Sequence, residues 1–179
     1  MLQLNKHSFD LKRPLVMGIL NITPDSFSDG GMYLDFNAAL KRAEKMIEEG
    51  VDIIDIGGES TRPGSDAVSA DEELKRITPI IEAIKKISDI AISVDTYKPE
   101  VMKEVIDMDV AMINDIFALQ KPNAIDIIKK SNVGVCLMHM QGTPKTMQLN
   151  PIYKNVINEV KSFLEERVNL LTNEGIDKS

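Results

Sequence analysis

Polar residues stand at five places where apolar, β-branched runs stop. Asn21 ends the run 14–20, and Gly-Gly-Glu-Ser-Thr over 57–61 ends the run 51–56. Asp95, Asn114 and His139 end the runs 90–94, 111–113 and 133–138. Each of these types has a chemistry. Asn21 is either a turn-initiating Asn before Thr23-Pro24 or a neutral oxygen ligand for a hard cation. Arg62, after Thr61 and before Pro63-Gly64, reads in the ordinary case as a surface ion pair. In its setting a guanidinium, a hydroxyl and glycine-flanked amides are also what a phosphate needs. Ser93 and Asp95 are two apart and share one strand face. A carboxylate there either stabilises a neighbour or accepts N–H bonds from a polar ligand. Asn114 offers donor and acceptor together, and Asp beside Asn suits a flat heterocycle with amide-like edges. Asp52 and Asp55, inside a strand, read as structural. Glu59 orients its loop or pairs with Arg62 and makes a poor general base. His139 is as well explained by packing as by function. Two histidines and one cysteine make a zinc site improbable, and no Ser-His-Asp or Cys-His pairing stands out.

The elements that must position these residues alternate. Residues 1–13 suggest a small hairpin. After the first strand comes a long polar loop with Phe27. Phe36, Leu40, Ala43 and Ile47 then mark a helix that Gly50 stops. Ser69 and Glu72 form a capping box for a helix carrying Leu74, Ile77, Ile81 and Ile84, in which Pro79 should cause a kink or restart. Pro99, Pro122 and Pro151 each open a further helix, the last with the stripe Ile157, Val160, Leu164, Val168 and Leu171.

The order is therefore βα five times, which implies a parallel sheet. An open doubly wound sheet and a (β/α)8 barrel compete. Glycine-rich phosphate loops of the common kinds are absent. A doubly wound sheet gathers its site at one switch point, whereas a barrel collects residues from every strand around one rim. Polar residues at many strand ends favour the barrel. Five units do not close eight strands, and about 250 residues is typical, so an incomplete α/β barrel of the TIM type is expected, as one domain over 1–179.

Composition agrees with a folded, non-membrane chain. Apolar residues are 43% and charged residues 27% of 179. No leader and no apolar run of about eighteen residues is evident. A net charge of −7 argues against nucleic acid or an anionic membrane as partner. The lone Cys136, in an apolar run, reads as a buried, inert thiol in a reduced, cytoplasmic setting.

The sequence Met-Gly-Ile-Leu-Asn-Ile-Thr-Pro-Asp-Ser-Phe-Ser-Asp-Gly-Gly over 17–31 resembles the first signature of dihydropteroate synthases. Ile-Asp-Ile-Gly-Gly-Glu-Ser-Thr-Arg-Pro-Gly over 54–64 resembles the second. Ser-Val-Asp-Thr-Tyr-Lys-Pro over 93–99, Ile-Asn-Asp-Ile over 113–116 and Cys-Leu-Met-His-Met-Gln-Gly-Thr-Pro-Lys-Thr-Met-Gln over 136–148 continue it in order.

The resemblance implies a (β/α)8 barrel that joins 7,8-dihydropterin-6-ylmethyl diphosphate to 4-aminobenzoate, giving 7,8-dihydropteroate and diphosphate in folate synthesis. By the same resemblance Asn21 is the Mg²⁺ ligand. Thr61 and Arg62 contact diphosphate, and Asp95 and Asn114 contact the pterin edge. Phe27 and Pro63 belong to loops around the aminobenzoate. The implied reaction is dissociative, with Arg62 and Asp95 as its catalytic residues and Mg²⁺ as cofactor. The partners implied are these small molecules, with a homodimer as an open option. The family's later elements would lie beyond Ser179: an aspartate on the sixth strand, a lysine on the seventh, an Arg-x-His on the eighth. Three explanations are a fragment, a decayed gene product that at most binds pterin or diphosphate, and a half-barrel completed by another chain. A relative using methyltetrahydrofolate as methyl donor is disfavoured by the two long loops.

Overall fold

The structure, a computed structural model, describes residues 1–23, 32–60 and 67–177. A two-stranded antiparallel hairpin comes first, β1 (Leu2–Leu4) with β2 (His7–Phe9). Asn5, in its turn, adopts the left-handed conformation at φ 52, which asparagine tolerates well. Then follow β3 (Met17–Asn21), α1 (Met32–Glu48), β4 (Ile53–Gly57), α2 (Ala70–Ile87), β5 (Ala91–Asp95) and α3 (Pro99–Asp107). The last four are β6 (Met112–Asp115), α4 (Ala124–Ile128), β7 (Gly134–Leu137) and α5 (Val156–Asn173).

The strands β3 to β7 form one parallel sheet in sequential order. A doubly wound sheet reverses its strand order; a barrel does not. The sequential order therefore settles the competition in favour of barrel topology, with five units among the described residues.

Strand alternation divides the core in two. Leu20, Ile54, Ile56, Ile92, Val94 and Ile113 face the helices and join Ile77, Ile80, Ile81, Ile84, Val101, Met102 and Val105. Full burial of each such side chain contributes about 2 kcal/mol. The opposite face packs Ile53, Ala91 and Met112, together with Ala111, against Leu4 of the hairpin. Leu4 is 2% exposed. A Cβ at Gly134 would lie 2.3 Å from Leu4 Cδ2, so a larger residue there would push the buried Leu4 from its seat against β7. The hairpin closes the N-terminal end of the sheet.

Local signals were read correctly in part. Ser69 Oγ accepts from Glu72 N at the start of α2. Glu72 does not reach back, however, because Arg76 Nε takes its carboxylate at 3.0 Å. The helix also runs on through Pro79 without restarting, with Ile77, Ile80 and Ile81 fully buried around it; packing outweighs one missing hydrogen bond. Pro151 does not open α5. That helix begins five residues later, capped by Asn155, whose side chain accepts from Asn158 N. Of its expected stripe only Leu171 is buried, and Ile157 is 75% exposed. No helix among the described residues is long and apolar enough to cross a membrane.

Candidate functional site

The C-terminal strand ends bring together Asn21, Gly57, Asp95, Asn114 and Cys136, which are register neighbours across β3 to β7. One step down lie Asp55 and Ser93, also paired in register. Two-residue periodicity puts all of these on the inner face. Gly57 is small for a reason: a Cβ there would lie 3.2 Å from Asn21 Oδ1 and 3.7 Å from Asp95 Cβ. The second glycine serves packing instead. A Cβ at Gly58 would meet Ile77 Cγ2 at 2.8 Å and Glu73 Cγ at 2.9 Å, so α2 lies directly on the chain there.

The hydrogen bonding on this face is incomplete. Asn114 Nδ2 donates to Asp55 Oδ2 at 3.0 Å. Asp55 Oδ1, Ser93 Oγ, Asp95 Oδ1 and Asn114 Oδ1 are buried and have no partner among the described residues. Three of the four are carboxylate or amide oxygens, so acceptors outnumber donors in the cluster. Burial, and then the charges of Asp55, Glu73, Asp115 and Glu59, push the Asp95 carboxyl up to about 7. The Cys136 thiol is pushed up by burial and by Asp55 and Asp95. Cys136 is half-buried on the inner face, not sealed in the core as its apolar run suggested, because β7 is the last strand of the sheet and covered on one side only.

Other expectations divide. Asp52 is structural: Arg13 holds it with two hydrogen bonds, at 2.9 and 2.5 Å, and Val16 N donates a third at 2.8 Å. These bonds, Arg13's first, hold its carboxyl down at about 2. Asp55, expected to be structural as well, is bonded on one oxygen only and belongs to the inner cluster. His139 packs edge-on to Phe163 at 5.0 Å and against Tyr153 at 5.9 Å, in line with the packing role. Glu59 is taken by Lys98 Nζ, Tyr97 Oη and Val68 N. Phe27, Thr61, Arg62 and Pro63 lie outside the described residues.

Two features of the rim went unread in the sequence. Asp115 is fully buried and accepts from Phe117 N and Leu119 N at 2.8 and 2.7 Å. It thereby holds Ala118 and Leu119 in consecutive left-handed conformations, φ 51 and 56, a costly arrangement for residues with a Cβ. Arg167 of α5 donates to both their carbonyls. No sequence pattern marks this arrangement, since neither residue is glycine. Burial pushes the Asp115 carboxyl up, against its two backbone bonds.

Comparison with known proteins bears on this geometry. The family model described as pterin binding enzyme matches residues 17–179. The dihydropteroate synthase of Haemophilus influenzae is 52% identical over 174 residues, covering 97% of this chain and 63% of that protein. The dihydropteroate synthase of Escherichia coli K12 is 50% identical, covering 96% and 61%. This chain therefore spans about three fifths of the length of the curated relatives it matches. Among solved structures, the Yersinia pestis dihydropteroate synthase with a sulfonamide drug complex superposes with a TM-score of 0.90 at 45% identity, over 98% of this chain and 64% of that one. The Burkholderia cenocepacia enzyme complexed with 7,8-dihydropteroate gives 0.85 at 44%, over 98% and 59%. With five barrel-ordered βα units, an acceptor-rich inner face at their C-terminal ends and a family match over most of its residues, this chain belongs to the pterin-binding enzyme family.

Proposed function

We propose that this chain carries the pterin and diphosphate half-site of a dihydropteroate synthase. In that reaction 4-aminobenzoate displaces diphosphate from 7,8-dihydropterin-6-ylmethyl diphosphate. The carrying observation is the set of buried oxygens on Asp55, Asp95 and Asn114 that have no partner among the described residues. Leaving such atoms unpaired costs about 1–3 kcal/mol each. A heterocycle edge that presents several N–H groups relieves that cost, and a pterin's 2-amino-4-oxo edge is such a donor array.

The roles of this chain's residues follow. Asp95 and Asn114 orient the pterin. Once its pocket is filled by N–H donors, the Asp95 carboxylate favours positive charge growing at the pterin methylene. Thr61 and Arg62 are assigned to the diphosphate, and Phe27 and Pro63 to the aminobenzoate, by family resemblance. Asn21, a neutral oxygen donor at the C-terminal end of β3 beside Gly57 and Asp95, would hold a Mg²⁺ by one protein oxygen, with the rest of its shell from water and phosphate. When bound, the ion supplies charge neutralisation for the leaving group. A cytoplasmic setting accords with the lone thiol, and a homodimer remains an expectation for light scattering to check.

A second reading, binding without turnover, is favoured by the open edge at β3. There Ile19, on the inner face, is 64% exposed. Diphosphate release by the purified chain with both substrates and Mg²⁺ separates the two. No turnover above background leaves binding alone. Calorimetry on Asp95→Ala tests the pterin assignment, and unchanged pterin affinity would refute it.

A further inference from the structure

Behind the acceptor cluster lies a second group of charges that the proposed reaction does not use. Lys98, the residue before α3, donates from Nζ to Glu59 Oε2 and to Glu73 Oε2, both at 2.5 Å. The three side chains are 12%, 9% and 1% exposed. This is therefore no surface ion pair, and its geometry is held by packing. Glu59 is fully engaged: Tyr97 Oη donates to its Oε1 at 2.9 Å and Val68 N to its Oε2 at 2.9 Å. Glu73 Oε1 has no partner among the described residues, so the ammonium is that carboxylate's main compensation. Burial works against the charge on Lys98, but its bonds to Glu59 and Glu73 outweigh burial and raise its pKa.

The group joins parts of the chain that are far apart in sequence. Glu59 lies two residues past Gly57 at the end of β4, and Lys98 three past Asp95 at the end of β5. Glu73 is in the first turn of α2. Val68 stands at the far side of the connection that leaves Glu59. Tyr97 extends the link to the third strand end, since its ring lies 4.9 Å from that of Phe117 in the loop after β6. The Lys98 ammonium also sits 4.6 Å from the Tyr97 ring centre. The Lys98 ammonium thus ties the exits of β4 and β5 to the start of α2, and the Tyr97–Phe117 ring contact, over which Lys121 also lies, carries the link on to the exit of β6.

We propose that Lys98 is a positioning residue of the pterin site: its ammonium, shared between Glu59 and Glu73, holds the exits of β4 and β5 at the spacing the inner acceptors need. This rests on the pterin reading above, and the test has an arm that does not. Removing the ammonium takes from Glu73 its main compensation and leaves Glu59 with the donors Tyr97 and Val68 alone, two buried carboxylates with no cation between them. They move apart, and the hydrogen bond from Val68 N to Glu59 is strained with them. The strands below are held by their own ladders and by the helix-side core, so they stay in register.

The experiment uses the chain as it stands, with Lys98→Met, Lys98→Arg and Tyr97→Phe. Amide hydrogen exchange is read over 58–60, at Val68 and in β4 to β6. Affinity for 2-amino-4-oxopteridine is read by fluorescence titration. In Lys98→Met, exchange over 58–60 and at Val68 speeds at least tenfold, strand amides keep their protection, and pterin affinity falls at least tenfold. Lys98→Arg returns both readouts to within about threefold. Tyr97→Phe, which removes one hydroxyl and keeps the ring, moves both in the same direction by a smaller factor, and it stands in if Lys98→Met fails to fold. Loss of strand protection in step with affinity, without rescue by arginine, would make Lys98 a plain stabilising bridge and overturn the proposal. So would an unchanged affinity. If the parent chain binds no pterin, the functional reading fails, while local exchange still shows whether Lys98 holds the strand exits.

Discussion

The two ends of the inner sheet face are built from the same strands and behave as opposites. At the N-terminal end, Ile53, Ala91 and Met112 pack on Leu4 of the hairpin, and every side chain there is apolar. Two to four residues further along, Asp55, Ser93, Asp95 and Asn114 carry buried polar atoms without partners. The floor is finished in the absence of ligand; the mouth is not. The difference shows how a barrel separates its tasks, with stability at the N-terminal ends of the strands and binding at the C-terminal ends. It also predicts that substitutions at the two ends will have effects of opposite sign.

The largest effect is expected at the floor. Leu4→Ala removes a nearly fully buried side chain and should cost about 3 kcal/mol, read as a lower urea midpoint, with pterin affinity per folded molecule unchanged. Equal loss of affinity would mean that the two ends are coupled and would break the comparison. At the mouth, Asp95→Asn should do the reverse. It removes a carboxylate that the fold pushes up to about 7, so the chain without ligand gains about 1 kcal/mol at pH 8 while pterin binding is lost.

The same group gives a pH dependence whose sign is fixed. Asp95 has a folded-state pKa above that of the unfolded chain, so the native state holds the extra proton between about pH 4 and about 7. Its contribution to stability is complete below that window and is lost as pH rises through it. The urea midpoint should therefore fall across this range and level off above it, and Asp95→Asn should flatten that part of the curve. The smallest effect, at neither end, is Ser69→Ala. It deletes the cap bond to Glu72 N and should cost about 1 kcal/mol, a reference against which the other values are read.

Much of this contrast was legible in the sequence. The strand-ending polar residues named the mouth before any geometry was known, because period-two alternation and position after an apolar run are both local. Asp55 reads as structural from its place inside an apolar strand, and it does accept a hydrogen bond from Asn114; its register with Ser93 and its second, unpartnered oxygen, which also put it in the cluster, are not local signals. Lys98 stands inside the motif over 93–99, but its role was not legible there, since its partners Glu59 and Glu73 are 39 and 25 residues away. The left-handed pair Ala118–Leu119 left no trace because the conformation is imposed by Asp115 and Arg167 rather than by residue type. Pro151 misled because proline signals where a helix is allowed to start, and the Asn155 cap decided where it did.

The hairpin floor has a consequence in time. Asn5 donates from its side chain to Asp109 and to the Val110 carbonyl, 104 and 105 residues away, and Leu4 seats against Gly134. At a translation rate of about 5–20 residues per second, the hairpin waits roughly 5–20 s for those partners to be made. It is synthesised before the sheet it seals and finds its place after it. The contacts that stabilise the floor are thus among the most non-local in the chain, and non-local contacts form slowly. Leu4, exposed in the nascent chain, stays without its full pocket until Gly134 has been made.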